Sequence, residues 1–92
     1  MKPIKVCYQI HVSGKVQGVF FRASAKEEAE KLELAGYARN EADESVLIEV
    51  EGTKVNVNEF IRWCQSGPKY AEVSKVSTKE VPVQHYTTFS VL

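Results

Sequence analysis

Neither sign of charge is in excess in this chain: twelve Lys and Arg offset twelve Asp and Glu, a formal net charge of +0 at pH 7. No long-range field therefore draws in nucleic acid or an acidic membrane, and any anion has to be held by a local arrangement. Cysteine is scarce too. Cys7 and Cys64 stand far apart with no CxxC pair, which argues against a disulfide framework. No apolar run approaches the roughly 20 residues that cross a bilayer, and the charged start from Met1 to Lys5 is not followed by the apolar segment of a signal peptide. A soluble protein in the reducing cytoplasm, without nucleic-acid or membrane partners, is expected. Repeats and low-complexity linkers are also missing, and 92 residues with 43% hydrophobic content suffice for one two-layer domain over residues 1–92 and no second.

What is present is periodic. Val6, Tyr8, Ile10 and Val12 alternate with Lys5, Cys7, Gln9 and His11, the period of a half-buried strand over about residues 4 to 13. Phe21, Ala25, Ala29 and Leu32 recur at helical spacing among good helix formers, which predicts a helix over about residues 22 to 34 closed by Gly36. Tyr37 to Asn40 reads as a short strand, Glu41 to Ser45 as a polar connection, and Val46 to Val50 as a third strand ending at Gly52, together a hairpin. Val57, Phe60, Ile61 and Cys64 repeat the helical pattern, with Thr53 as N-cap and Gly67-Pro68 as the stop. Two further strands are expected over about residues 71 to 81 and 86 to 91, divided by Pro82; Val73 and Val76 break strict alternation and mark a bulge or twisted edge.

This order is that of an α+β, ferredoxin-like βαββαβ sandwich: an antiparallel sheet with two helices on one face and a short extra C-terminal strand. The arrangement hosts enzymes, RNA binders and regulatory modules alike, so function has to come from a site. The stretch from Gly14 to Arg22, GKVQGVFFR, lies where the first strand gives way to the first helix. A glycine-rich turn there can direct backbone N–H groups inward, and the first helical turn adds unpaired N–H groups and the positive end of the helix dipole. Gly14 and Gly18 permit conformations or close approaches that a Cβ would hinder. Arg22 adds a planar, permanently charged fork that matches two phosphate oxygens. The Lys-Ser/Thr ending of a nucleotide P-loop and the spacing of a dinucleotide fingerprint are both absent, and such a turn alone is a weak signal.

Taken together, Val12, Gly14, Val16, Gln17, Gly18, Val19, Phe21 and Arg22 resemble the first motif of the acylphosphatase family, a long and specific pattern. Gly36-Tyr-Ala-Arg-Asn40 is similar to the family's second motif, and Ser66-Gly-Pro68 followed by Ala71 and Val73 extends the similarity over nearly the whole chain. The resemblance implies a ferredoxin-like fold, hydrolysis of carboxyl phosphates to carboxylate and phosphate, and no metal or other cofactor. It implies Lys15, Val16, Gln17, Gly18, Val19, Phe20, Phe21 and Arg22 as phosphate binders, and Arg22 and Asn40 as catalytic residues, with Asn40 positioning the attacking water. The partner is then a small-molecule acyl phosphate, with inorganic phosphate as product and inhibitor, and a monomer is expected. Some positions depart from the family's pattern. Glu44 follows Asp43 where the family usually has glycine, Leu47 replaces a usual glutamate, and Phe20 stands where a smaller residue is common; a longer or differently twisted turn and a reshaped loop surround are expected.

The chemistry is consistent with these residues. An acyl phosphate expels a carboxylate whose conjugate acid has a pKa of roughly 4, so no proton donor is needed at neutral pH. The loop contains no Asp, Glu, His, Cys or Ser, which points to water as the nucleophile. Phosphoryl transfer through a loose transition state needs chiefly positioning and charge stabilisation, which Arg22 and a backbone cradle supply; the Asn40 side-chain oxygen can accept a hydrogen bond from water. A catalytically idle phosphate-binding module is the alternative. An RNA-recognition domain would carry stacking aromatics on its central strands, and Val46-Leu-Ile-Glu-Val50 has none. His11 and His85 belong to no motif and are expected to be structural or solvent-facing. Cys7 and Cys64 are expected to be buried free thiols near a core.

Overall fold

The computed structural model describes residues 4–92; Met1 to Pro3, part of the charged start, lie outside the described residues. In chain order the elements are β1 (Lys5–Lys15), α1 (Phe21–Lys31), β2 (Ala35–Asn40), β3 (Val46–Thr53), α2 (Lys54–Cys64), β4 (Glu72–Val81) and β5 (Phe89–Val91). The strands form one sheet in the order β4-β1-β3-β2-β5. β1 to β4 pair antiparallel, whereas β5 lies parallel to β2, with Gly36 opposite Phe89 and Ala38 opposite Val91. The ferredoxin-like order is present, and the sheet is mixed because the chain beyond Pro82 runs back along the otherwise unpaired edge of β2.

Strand alternation sorts the two faces of this sheet. Ile10 and Val12 of β1, Ala38 of β2, and Val46, Ile48 and Val50 of β3 share one face, against which Phe21, Ala25 and Ala29 of α1 and Val57, Phe60 and Cys64 of α2 are buried. Burial of each large apolar side chain in this layer stabilises the fold by roughly 1.5–3 kcal/mol, which commits both helices to the same side. Phe21, the first residue of α1, meets Trp63 of α2 with ring centroids 5.4 Å apart.

The opposite face is polar but partly covered. Glu49 and Glu51 of β3 are only 7% and 3% exposed. Glu49 accepts hydrogen bonds from the Gln9 amide at 3.3 Å and from the Tyr86 hydroxyl. Glu51 accepts from the backbone N–H groups of Gln84, His85 and Tyr86 at 2.6, 3.2 and 3.1 Å. Donors of this kind make buried carboxylates tolerable, and they fasten the segment after Pro82 to the sheet, so that β5 arrives beside β2. Both cysteines are buried and free. Cys64 belongs to the core layer between helices and sheet, while Cys7 lies on the other face, opposite Glu51 in the ladder.

The end of α1 differs from the sequence expectation, while the start of α2 and the bulge in the fourth strand agree with it. α1 stops at Lys31: Glu33 takes the left-handed conformation (φ 56), and the N–H groups of Glu33 and Leu34 bond to the carbonyls of Glu30 and Ala29 at 3.1 and 2.8 Å. This is a Schellman closure made by glutamate, and it turns Leu34 into the core. Gly36 does not close the helix; it sits within β2, where a Cβ would stand 1.8 Å from the Glu49 carbonyl oxygen. Thr53 caps α2 as expected, accepting from the Asn56 N–H at 3.3 Å. The β1–β4 register shifts between Ser13 and Gly14, which face Lys75 and Val73, and this is the bulge anticipated in the fourth strand.

Candidate active site

The loop between β1 and α1 is anchored by its own apolar side chains. Val16, Val19 and Phe21 are buried in the core, and the intervening backbone is curled by two left-handed residues, Gly18 (φ 74) and Phe20 (φ 61). Phe20 is the N-cap residue of α1 and makes no side-chain cap bond, and the first turn carries no acidic residue. The N–H groups of this turn are therefore left for a ligand, at the positive end of the helix. Gly67, from the Ser66-Gly-Pro68 motif, packs so closely that a Cβ there would lie 2.6 Å from the Phe21 ring. That motif supports the loop from behind.

In front of the loop is a cleft of about 270 Å³ lined by Val16, Gly18, Phe20, Phe21, Arg22, Ala23, Asn40 and Val91, at the lower limit of the roughly 300–1,000 Å³ typical of ligand pockets. Arg22 enters it from the first turn of α1 and Asn40 from the last residue of β2. The Arg22 Nη1 donates to the backbone oxygen of Leu92. Asn40 is exposed, and its side-chain amide has no hydrogen-bond partner among the described residues, which leaves both its oxygen and its nitrogen for a ligand. Among the residues lining the cleft, Arg22 is the one that carries charge.

Not every loop residue faces this space. Lys15 is exposed at the end of β1, paired with Glu72, and Val19 points into the core. The Gln17 amide donates to the carbonyls of Glu41 and Ser45, each at 2.9 Å, which ties the loop to the turn that follows Asn40. On the side of the sheet away from the helices, the His11 Nε2 is 2.6 Å from the Ser45 Oγ and 3.7 Å from Asp43. Hydrogen bonds from the Ser45 side chain and backbone hold the Asp43 carboxyl below its ordinary value, with a smaller contribution from His11. His85 is exposed and engages Glu51 through its backbone. No group of three or more His, Cys, Asp or Glu side chains among the described residues is arranged to hold a metal ion.

The acylphosphatase family model matches residues 8–91, from β1 to the end of β5. The chain belongs to the acylphosphatase family. A Colwellia psychrerythraea protein named acylphosphatase is 40% identical over 88 residues, covering 96% of this chain and 99% of its own. A Legionella pneumophila acylphosphatase is 43% identical over 88 residues, covering 96% and 97%. Among solved structures, an acylphosphatase from Coxiella burnetii superposes with a TM-score of 0.93 at 38% identity over 96% of this chain and 93% of that one.

The departures from the family's pattern noted in the sequence have local solutions. Glu44 adopts φ 73, so the turn keeps a left-handed residue without glycine there, closed by the Glu41 N–H on the Ser45 carbonyl at 2.9 Å. Leu47 is buried at the centre of the polar face, between His11 and Arg39 in the ladders. Phe20 is 79% exposed at the rim of the cleft. Val91 and Leu92, on the wall of the cleft and against Arg22, had no sequence signal, since only the pairing of β5 with β2 brings them there.

Proposed function

We propose that this chain hydrolyses acyl phosphates to a carboxylate and inorganic phosphate by direct attack of water, acting as one domain over residues 1–92. The observation that carries this reading is the meeting of Arg22, Asn40 and the uncapped start of α1 in one cleft. The phosphate lies in the loop from Lys15 to Phe21, held by backbone N–H groups and by the Arg22 fork. Water sits on Asn40, whose side-chain oxygen accepts its hydrogen bond and aligns it in line with the leaving group. A bond forms between the water oxygen and phosphorus as the phosphorus–oxygen bond to the acyl group breaks, and the carboxylate departs with the electron pair. The proton lost by water goes to a phosphate oxygen or to solvent, because a neutral amide is not a base. Arg22 and the N–H groups stabilise the charge on the equatorial oxygens without a metal ion.

Inorganic phosphate occupies the same cradle and inhibits. The acyl-phosphate substrate is supported by the family, and no helix of the described residues is long and apolar enough to cross a membrane; a monomer acting in the cytoplasm fits these features.

The test is turnover of benzoyl phosphate by the purified chain, with and without saturating chelator. Turnover that persists in chelator and falls at least 100-fold in Asn40→Ala, with phosphate inhibition nearly intact, is the expected result. Phosphate binding without turnover would replace the enzyme with a binding module. A rate restored only by a divalent ion would overturn the metal-free mechanism.

A further inference from the structure

Three parts of the chain meet at Ser45, which is 3% exposed. Its carbonyl accepts from the Gln17 amide and from the Glu41 N–H, each at 2.9 Å. Its N–H donates to the Asp43 carboxylate at 3.1 Å, and its hydroxyl donates to the same oxygen. From β1, on the sheet face away from the helices, the His11 Nε2 reaches that hydroxyl at 2.6 Å, with Asp43 3.7 Å away. Serine, histidine and aspartate in contact have the composition of a nucleophilic triad but not its order. The carboxylate sits on the serine instead of on the far ring nitrogen, and a serine so deeply buried meets no substrate. The cluster holds the turn from Glu41 to Ser45, which follows directly on Asn40 and contains the left-handed Glu44 (φ 73). Whatever fixes Ser45 therefore bears on Asn40.

The protons available fix the direction of each bond. The one hydroxyl proton of Ser45 goes to Asp43, so its oxygen accepts from His11, and Nε2 carries the hydrogen. The other ring nitrogen has no hydrogen-bond partner among the described residues, and the side chain is 38% exposed. A second proton can join there without breaking the Ser45 contact, and it sets a full positive charge beside the Asp43 carboxylate. Imidazole is the side chain suited to such a change between about pH 5 and 8. Around the ring, Leu47 of β3 and Ser77 of β4 stand directly opposite, Lys79 lines the same hollow and Lys75 faces Ser13. Glu49 is engaged by Gln9 and Tyr86, Arg39 of β2 is paired with Glu41 at 3.1 Å, and Glu44 is exposed in the turn. Asp43 is the carboxylate that pairs with the ring. We propose that His11 is a positioning residue for the hydrolysis: when charged it clamps Asp43 and Ser45, steadies Asn40 against the phosphate loop and raises kcat, and when neutral it relaxes the turn. The proposal rests on the water-positioning role of Asn40 put forward above.

The experiment measures kcat for benzoyl phosphate, and inhibition by inorganic phosphate, from about pH 5 to pH 8 in the wild type, His11→Gln and His11→Arg. Taking the ratio of wild type to variant at each pH cancels titration of the substrate. Glutamine keeps an N–H for Ser45 but no charge, and arginine is charged throughout. Both kcat ratios should fall by about two- to fivefold as pH rises, the worth of a partly exposed ion pair. The ratio to His11→Gln should approach one at the alkaline end and the ratio to His11→Arg at the acid end, so either variant alone reads the effect if the other misfolds. The corresponding ratios of phosphate inhibition should stay flat. With Asp43→Asn in every protein, the kcat ratios should become flat as well. Flat kcat ratios with Asp43 present, an equal slope in phosphate inhibition, or a slope that survives Asp43→Asn each overturn the positioning role while leaving the hydrolase intact. A wild type without turnover overturns the hydrolysis, and the positioning role with it.

Discussion

The Gln17 amide nitrogen lies 2.9 Å from the Ser45 carbonyl oxygen and equally close to that of Glu41, bridging the loop before α1 and the turn after Asn40. It connects the residues proposed to hold phosphate with the residue proposed to hold water. Its loss should therefore appear in kcat more than in binding. Gln17→Ala is expected to lower kcat about tenfold and stability by about 1 kcal/mol, while inhibition by phosphate changes little. Equal loss of turnover and inhibition would place Gln17 in the phosphate cradle, and unchanged kcat in a folded variant would remove it from the site's architecture.

Arg22 is the cleft's fixed charge, and its guanidinium is oriented by the Leu92 backbone oxygen. Removing one preorganised contact to a developing oxyanion costs roughly 100- to 1,000-fold in rate. Arg22→Ala should lose at least that in kcat/KM and weaken phosphate inhibition as well. Arg22→Lys should recover little, because an ammonium lacks the planar two-donor fork. Near-normal kinetics in either variant would contradict the assignment.

Glu44 occupies a left-handed position at φ 73. For a residue with a Cβ this costs roughly 1–2 kcal/mol, against roughly 0.5–1 kcal/mol of extra chain entropy lost by glycine on folding. Glu44→Gly should thus stabilise by about 0.5–1 kcal/mol, raise Tm by a few degrees, and leave turnover unchanged. A lower Tm by thermal unfolding would mean that Glu44 supports the turn through its side chain.

Burial, followed by the charges of Glu49 and Glu51, pushes the Cys7 thiol up from 9.0 to about 12. Burial pushes the Cys64 thiol up as well, and burial together with Glu49 raises the Tyr86 hydroxyl. In the unfolded chain the thiols ionise from about pH 9, while the native chain keeps them protonated. Unfolding then releases protons, so stability is full below about pH 9 and falls as pH rises through the folded value near 12. Urea midpoints should drop between pH 8 and pH 10, less steeply in Cys7→Ala, and neither thiol should react with a disulfide reagent at pH 8 until urea unfolds the chain. Rapid labelling of the native protein would contradict this.

Which parts of this protein could be read from sequence follows from the range of the interactions involved. Thr53 was legible as a cap because the N–H it accepts is three residues away, and the two helices because their apolar spacing repeats within single turns. Gly36 misled at the end of α1: local propensity favoured glycine as the stop, but burial of Leu34 required the reversal earlier, and Glu33 accepts the left-handed conformation to make it.

The order of strands and helices was legible from local periodicity, and the loop from Gly14 to Arg22 as a candidate anion site from its glycines and arginine, whereas Asn40 joined Arg22 as a candidate only through the resemblance to a family motif. The assembled fold alone shows that Gln17 bonds across 24 and 28 residues to the turn after Asn40, that Glu49 and Glu51 are buried, and that β5 runs parallel to β2 and sets Val91 on the cleft wall and Leu92 against Arg22. A glutamate's burial depends on whether distant donors reach it, and an edge strand's direction on how its connection is held. Both are properties of the assembled sheet, where a local period of two carries no information about the neighbours a strand will have.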